Sequence, residues 1–147
     1  MDAKEYLSQA LWLDRIINNK LEQQEEVRAK AERTTVDISQ EKVSGGNITK
    51  SPMEDSTVKL ADLSREIDDY VDRYVNLKVK IQNTISKLSD FRYILILEMR
   101  YLNNKAWDDI AMTIGYDTRY TMKLHRKALN EVRTILKEDT KRHLLTE

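Results

Sequence analysis

Leu60, Leu63, Ile67, Tyr70, Tyr74, Leu77, Ile81, Thr84 and Leu88 follow one another at alternating steps of three and four residues, and eight of these nine are apolar. A repeat averaging 3.5 residues over four heptads suits a long α-helix with one narrow apolar seam and no β-strand. Such a seam must be covered, either by another helix of the same chain or by a second copy of it. Tyr70 and Tyr74 widen the seam at its centre, and each hydroxyl needs water or a polar partner, which places the ring tips at the seam's edge. This helix is expected to open between Pro52 and Ser56.

The nearest covering helix is N-terminal. Tyr6, Ala10, Leu13, Ile17, Lys20, Gln24, Val27 and Ala31 alternate in steps of four and three, and Leu7, Leu11, Trp12 and Ile16 widen the stripe at its start. The polar run of residues 22–26 thins it later, so the beginning packs harder than the end. Residues 34–56 lack periodicity and contain Gly45, Gly46 and Pro52, which reads as a long flexible, disordered connection. The chain has 3 Gly and 1 Pro in 147 residues, too little turn chemistry for an all-β sandwich or barrel. The fold class is therefore all-α: a long antiparallel helical hairpin or coiled coil, followed by a small C-terminal helix-turn-helix domain.

Ser89 or Asp90 can cap a new helix, and the run Phe91-Arg92-Tyr93-Ile94-Leu95-Ile96-Leu97 is apolar on nearly every side, as a buried helix would be. Asn103, Asn104 and Lys105 end it. Two short helices are expected next, at residues 106–114 and about 118–137. The boundary near residue 88 divides an assembly arm, residues 1–88, from a DNA-binding domain, residues 89–147. Charge divides at nearly the same place. Residues 1–90 hold 14 basic and 17 acidic side chains, net −3, and residues 91–147 hold 11 and 8, net +3. The formal charge of zero is thus a sum of opposites. Within residues 118–127, Arg119, Lys123, Arg126 and Lys127 stand without an acid, a footprint for an anionic partner.

The spacing around that footprint is specific. Ile110, Ala111 and Ile114 form an inner face, with Ala111 small where a second helix must cross closely. Gly115 follows where the chain needs positive φ, Tyr116 plugs the turn, and Asp117 is placed to cap the next helix. Leu124, Ala128, Leu129 and Val132 supply the apolar face of that helix. The segments Trp107-Asp108-Asp109-Ile110-Ala111, Gly115-Tyr116-Asp117 and Lys127-Ala128-Leu129, after a helix ending Met99-Arg100-Tyr101, resemble the promoter-recognising C-terminal region of bacterial sigma factors. No gap is needed between Trp107 and Leu129. The layout further resembles phage-encoded regulators of late transcription of the RinA and ArpU type, by motif over the C-terminal third and by architecture elsewhere. Thr121 departs from the pattern, standing where Ile or Val is usual, which loosens the packing unless Tyr120 or Met122 compensates.

The resemblance implies that the second helix of the motif enters the major groove of double-stranded DNA with its N-terminal half at base edges. Thr118, Arg119, Met122 and Lys123 are then the candidate base contacts. Arg119 and Lys123 suit guanine O6 and N7, and Met122 suits a thymine methyl. Lys105, Tyr120, Arg126 and Lys127 are the candidate backbone contacts. The resemblance also implies a contact with RNA polymerase, and the long helices suggest a homodimer or higher oligomer. A small terminase subunit, which pairs a helix-turn-helix with an oligomerising hairpin, and a coiled-coil adaptor binding RNA polymerase are the alternatives.

Other chemistry finds little support. Cys is absent, which excludes thiolate metal sites and cysteine nucleophiles. Glu66, Asp68, Asp69 and Asp72 read as the wet face of a coiled coil rather than a cation site, and Asp108 and Asp109 as carboxylates favoured in a first helical turn. His125 and His143 are too isolated for a metal site or triad, and Gly45-Gly46 lacks the Lys and following helix of a phosphate loop. No enzyme, cofactor or metal is expected. Asp2 and Glu5 precede the first apolar residues and no run approaches the length of a membrane span, so the expectation is a protein of the bacterial cytoplasm without a membrane anchor.

Overall fold

The structure, a computed structural model, describes residues 1–40 and 52–146, with side chains described for 1–33 and 53–146. It is all-α over these residues: α1 (Ala3–Gln40), α2 (Pro52–Ser86), α3 (Phe91–Leu97), a π-helical turn (Glu98–Leu102), α4 (Trp107–Ile114) and α5 (Thr118–Thr146). α1 and α2 form a long antiparallel pair, and the shorter helices follow. Both long helices reach into the stretch expected to be a loop. Residues 34–40 and 52–56 are helical, because helical hydrogen bonding carries on beyond the apolar stripe that nucleates each helix. Gly45, Gly46 and the flexibility expected of residues 41–51 lie outside the described residues.

Two compact units divide the chain, one of Met1–Trp12 with Tyr74–Glu147, the other of Leu13–Arg73. The second unit is lean. Among its described residues Ile17 and Ile67 are the buried apolar side chains, and polar links flank them: Lys20 Nζ lies 3.0 Å from Glu66 Oε2, and Gln24 Nε2 donates to Ser64 Oγ at 2.8 Å. Glu66, the first acid of the candidate cation cluster, is thus ion-paired across the hairpin. Tyr70 is half-buried with the Arg73 guanidinium 5.4 Å from its ring centre, which fits a ring lying at the rim of the seam.

The first unit holds most of the core. Ala3, Leu7 and Ala10 of α1 share a cluster with Ile81 and Ile85 of α2 and Leu88 just past its end, and Leu97, Tyr101, Ala128 and Val132 complete it. Burying side chains such as Leu7, Ile81 and Ile85 contributes about 1.5–3 kcal/mol each. Every seam position from Leu60 to Leu88 is buried or half-buried, and α1 is the helix of the chain paired with α2. Val71, Val75 and Val79 of α2 stay exposed beside the seam. Thr84, its one polar member, donates to the Lys80 carbonyl at 3.1 Å and accepts from the Tyr6 hydroxyl at 3.0 Å, so its burial strands no polar atom. Trp12 does not widen the α1 stripe as expected; it is 61% exposed, one turn from the point where the core thins.

The end of α2 is tied to α5. Ser89 donates from its backbone N–H and its hydroxyl to Glu131 Oε1 at 2.9 and 3.0 Å, and Lys87 Nζ lies 3.2 Å from Asp139. With Ser89 so engaged, Asp90 caps α3, accepting from the Arg92 N–H at 2.9 Å. Its side-chain hydrogen bond to the Arg92 guanidinium holds the carboxyl below its usual range. α3 is not buried all round. Ile96 and Leu97 are inside, but Phe91 is 86% exposed and Leu95 is also at the surface, because they lie off the faces of α3 that pack on α4, α5 and the core cluster. α5 runs nine residues past its expected end near 137.

Candidate nucleic-acid interface

α4 and α5 form the helix-turn-helix that the spacing predicts. Ile110 and Ala111 are buried and Ile114 half-buried. The chain then turns through Gly115 at φ 80°, ψ 25°, the left-handed region that favours glycine. Its N–H and that of Tyr116 both reach the Ala111 carbonyl, at 3.0 and 3.2 Å. Asp117 Oδ1 accepts from the Tyr120 N–H at 2.6 Å, which caps α5. Leu124, Ala128 and Val132 are buried on its inner face. Thr121 is fully buried among them, and its hydroxyl donates to the Asp117 carbonyl at 2.8 Å. The hydroxyl therefore fits the apolar contact without loosening it, since its hydrogen bond is made within the helix.

Tyr116 does not plug the turn. It is exposed, set edge to face against Tyr120 with ring centres 4.9 Å apart, and the Arg92 guanidinium lies 6.0 Å from its ring centre.

The candidate contacts separate into groups. Arg119, Tyr120, Lys123 and Arg126 surround one shallow depression, together with Asp117. All four are exposed. Met122 and Lys127 are exposed on α5 outside that depression. Thr118 is half-buried, and its hydroxyl donates to Asp108 Oδ1 at 2.9 Å, which pins the start of α5 to the first turn of α4. Lys105 is exposed ahead of α4; its N–H donates to the Met99 carbonyl at 2.9 Å and its carbonyl accepts from Arg100 at 3.0 Å. The backbone of Lys105 is fixed while its ammonium faces solvent.

Behind this surface lies a polar-aromatic cluster that sequence reasoning missed by treating His125 as isolated. His125 is buried, its Nε2 is 2.7 Å from the Tyr101 hydroxyl, and the edge of Trp107 meets its ring at 4.6 Å between centres. The Arg100 guanidinium stacks over Trp107 at 4.9 Å. Burial, reinforced by the positive charges of Lys4, Arg100 and Arg126, pushes the imidazole down to about 4, so it is neutral at pH 7. Burial likewise pushes the Tyr101 phenol up to about 12. The phenol therefore keeps its proton and can donate it to the neutral ring nitrogen. The spacing held a signal: His125 is four residues after Thr121 and next to Leu124, on the edge of the inner face.

The arrangement is a helix end with a fixed start, a rigid back and a cationic front. A family model matches residues 33–133, more than two thirds of the chain. The chain belongs to the family described as "Protein of unknown function (DUF1492)". The DUF1492 match takes in the seam, the turn and the cationic start of α5. This DUF1492 chain is also similar to the RNA polymerase sigma-B factor of Bacillus subtilis, with 30% identity over 90 residues, 61% of its own length and 34% of the relative's. It spans about a third of that relative. No solved structure matches it. No helix among the described residues is long and apolar enough to cross a membrane.

Proposed function

We propose that this protein is a sequence-specific, double-stranded-DNA-binding regulator of transcription, encoded by a phage or prophage and acting on late gene expression. The observation that carries the reading is the exposed group Arg119, Lys123 and Arg126 at the start of a helix whose entry is fixed by the Gly115 turn and the Asp117 cap. In a helix-turn-helix that end of the second helix meets base edges. Arg119 and Lys123 read guanine, a bidentate Arg contact discriminating by about 1–3 kcal/mol, and Met122 touches a thymine methyl. Tyr120, Arg126, Lys127 and Lys105 hold phosphates. Thr118 has its hydroxyl on Asp108, so its part is to fix the helix start first and to approach a base edge second. No catalytic residue, cofactor or metal enters this reading.

The similarity to a protein named as an RNA polymerase sigma factor supports a role in transcription and, with it, a contact with RNA polymerase. A homodimer or higher oligomer through the long helices belongs to the same proposal, with the exposed Val71, Val75 and Val79 of α2 as its support. The test is enrichment of bound duplexes from a random library, followed by footprinting of the winning sequence. A protected site lost on Arg119→Ala with Lys123→Ala is the expected result. Absence of any site above non-specific binding would end the regulator reading and favour an adaptor that touches protein instead.

A further inference from the structure

The cationic front of α5 does not stop where a groove-reading helix end would. Beyond Arg119, Lys123 and Arg126, the helix presents Arg133, Lys137 and Lys141, and all six are exposed. Their separations, with Asn130 between the two trios, run four, three, seven, four and four. At 3.6 residues per turn this keeps the six within about 80° of one another around the helix, in a stripe about 33 Å long. The acids of α5 are elsewhere. Glu131 accepts from Ser89, Asp139 pairs with Lys87, and Glu138 lies about 100° round from the stripe's centre. Among the described residues, none of the six cations has a carboxylate partner, whereas Lys20, Arg28, Arg65, Lys87 and Arg92 each do. Like charges three and four apart on a helix repel one another. A row of them without carboxylate partners among the described residues matches an anion whose charges also repeat along a line, as phosphates do along a nucleic-acid strand.

We propose that Arg133, Lys137 and Lys141 form a second phosphate-binding segment, which grips the duplex backbone beyond the groove site and bends the DNA toward the C-terminal end of α5. This rests on the reading of α5 as the groove-entering helix. A straight helix can lie in a winding groove only over a short stretch, since the groove completes a turn in about 34 Å. A stripe of nearly that length meets phosphates at both ends only when the duplex curves toward it. Neutralising phosphates on one side of the duplex favours that curvature.

The experiment uses the full chain and a 30-base-pair duplex that the parent protein has enriched from a random library, carrying a donor and an acceptor dye at its ends. Affinity is measured from 50 to 300 mM salt, and end-to-end distance by energy transfer. Each phosphate contact contributes about 0.9 to the slope of log affinity against log salt. The variant Arg133→Gln, Lys137→Gln, Lys141→Gln should lower that slope by about 2 to 3 and lengthen the bound duplex, with sequence preference kept. Arg142→Gln, on the same helix but about 140° round, should change neither. Unchanged slope and duplex length in the triple variant, with the parent still binding and Arg119→Ala, Lys123→Ala still losing its site, overturns the second segment and leaves the groove reading in place. Failure of the parent to enrich any duplex overturns both. Melting curves of the triple variant within a few degrees of the parent confirm that the comparison is between folded proteins.

Discussion

Acidification should loosen the C-terminal helices through a single imidazole. His125 titrates near 4 in the folded protein because burial, then the charges of Lys4, Arg100 and Arg126, disfavour its protonated form; an unperturbed His titrates near 6.5. The folded value lies below the unfolded one, so the fold prefers neutral His125. Its contribution is fully present above pH 6.5 and is lost as pH falls toward 4. Protonation also removes the ring nitrogen's lone pair, and with it the capacity of Nε2 to accept from Tyr101. At pH 5 the unfolded chain is almost fully protonated at this site and the folded one hardly at all, a gap of about 1.5 units or about 2 kcal/mol. The assay is urea unfolding at pH 7 and pH 5, followed by helical circular dichroism, on the parent and on His125→Gln. The variant lowers stability at both pH values but lacks the titration. The parent should lose about 2 kcal/mol more than the variant between the two pH values. Equal losses would refute the reasoning, since His143, Asp90 and the other ionising groups are present in both proteins.

Gly115→Ala should lower stability by about 1–2 kcal/mol, because a Cβ added there meets nothing within 4 Å and the cost is that of holding positive φ alone; an unchanged melting temperature would show that the turn relaxes. Asp117→Ala removes the cap on the Tyr120 N–H and should cost about 1 kcal/mol by urea unfolding, with Asp117→Asn recovering most of it. Ile85→Ala empties a fully buried site between α1 and α2 and should cost about 2–5 kcal/mol at constant denaturant sensitivity, a loss under 1 kcal/mol showing that the core collapses to fill the space.

The seam and the turn were readable in the sequence for different reasons. A heptad repeat records a long series of similar environments, so Leu60 to Leu88 identify one face of α2 even though Thr84 and two Tyr interrupt it. The turn is legible because left-handed backbone and an N-cap have narrow residue preferences, and Gly115 and Asp117 meet them two residues apart. Local composition fails where the number of neighbours decides burial. Phe91 and Leu95 stand among apolar residues and are nonetheless at the surface, since they lie off the faces of α3 that pack on α4, α5 and the core cluster. It fails again where partners are distant in sequence: His125 is buried by Tyr101 and Trp107, which lie 24 and 18 residues before it. The end of α5 was misplaced because the polar run after Lys137 resembles a helix terminus, although charged residues on an exposed face are no obstacle to helix. With it, Lys141 escaped notice as part of the cationic stripe.

Residues Met1–Trp12 and the last turns of α2 share a core with Ala128 and Val132 of α5, and that has a consequence for how such a protein can be inherited. A segment beginning at residue 89 contains the whole helix-turn-helix but only four of the ten buried residues of that core, Leu97, Tyr101, Ala128 and Val132. Grafted onto an unrelated protein, it would carry an uncovered apolar face where Leu7, Ala10, Ile81 and Ile85 belong. A transplant that keeps this core whole must therefore be discontinuous in sequence. Recombination that swaps the tail alone should yield poorly folded hybrids, and successful shuffling should move the two chain ends together.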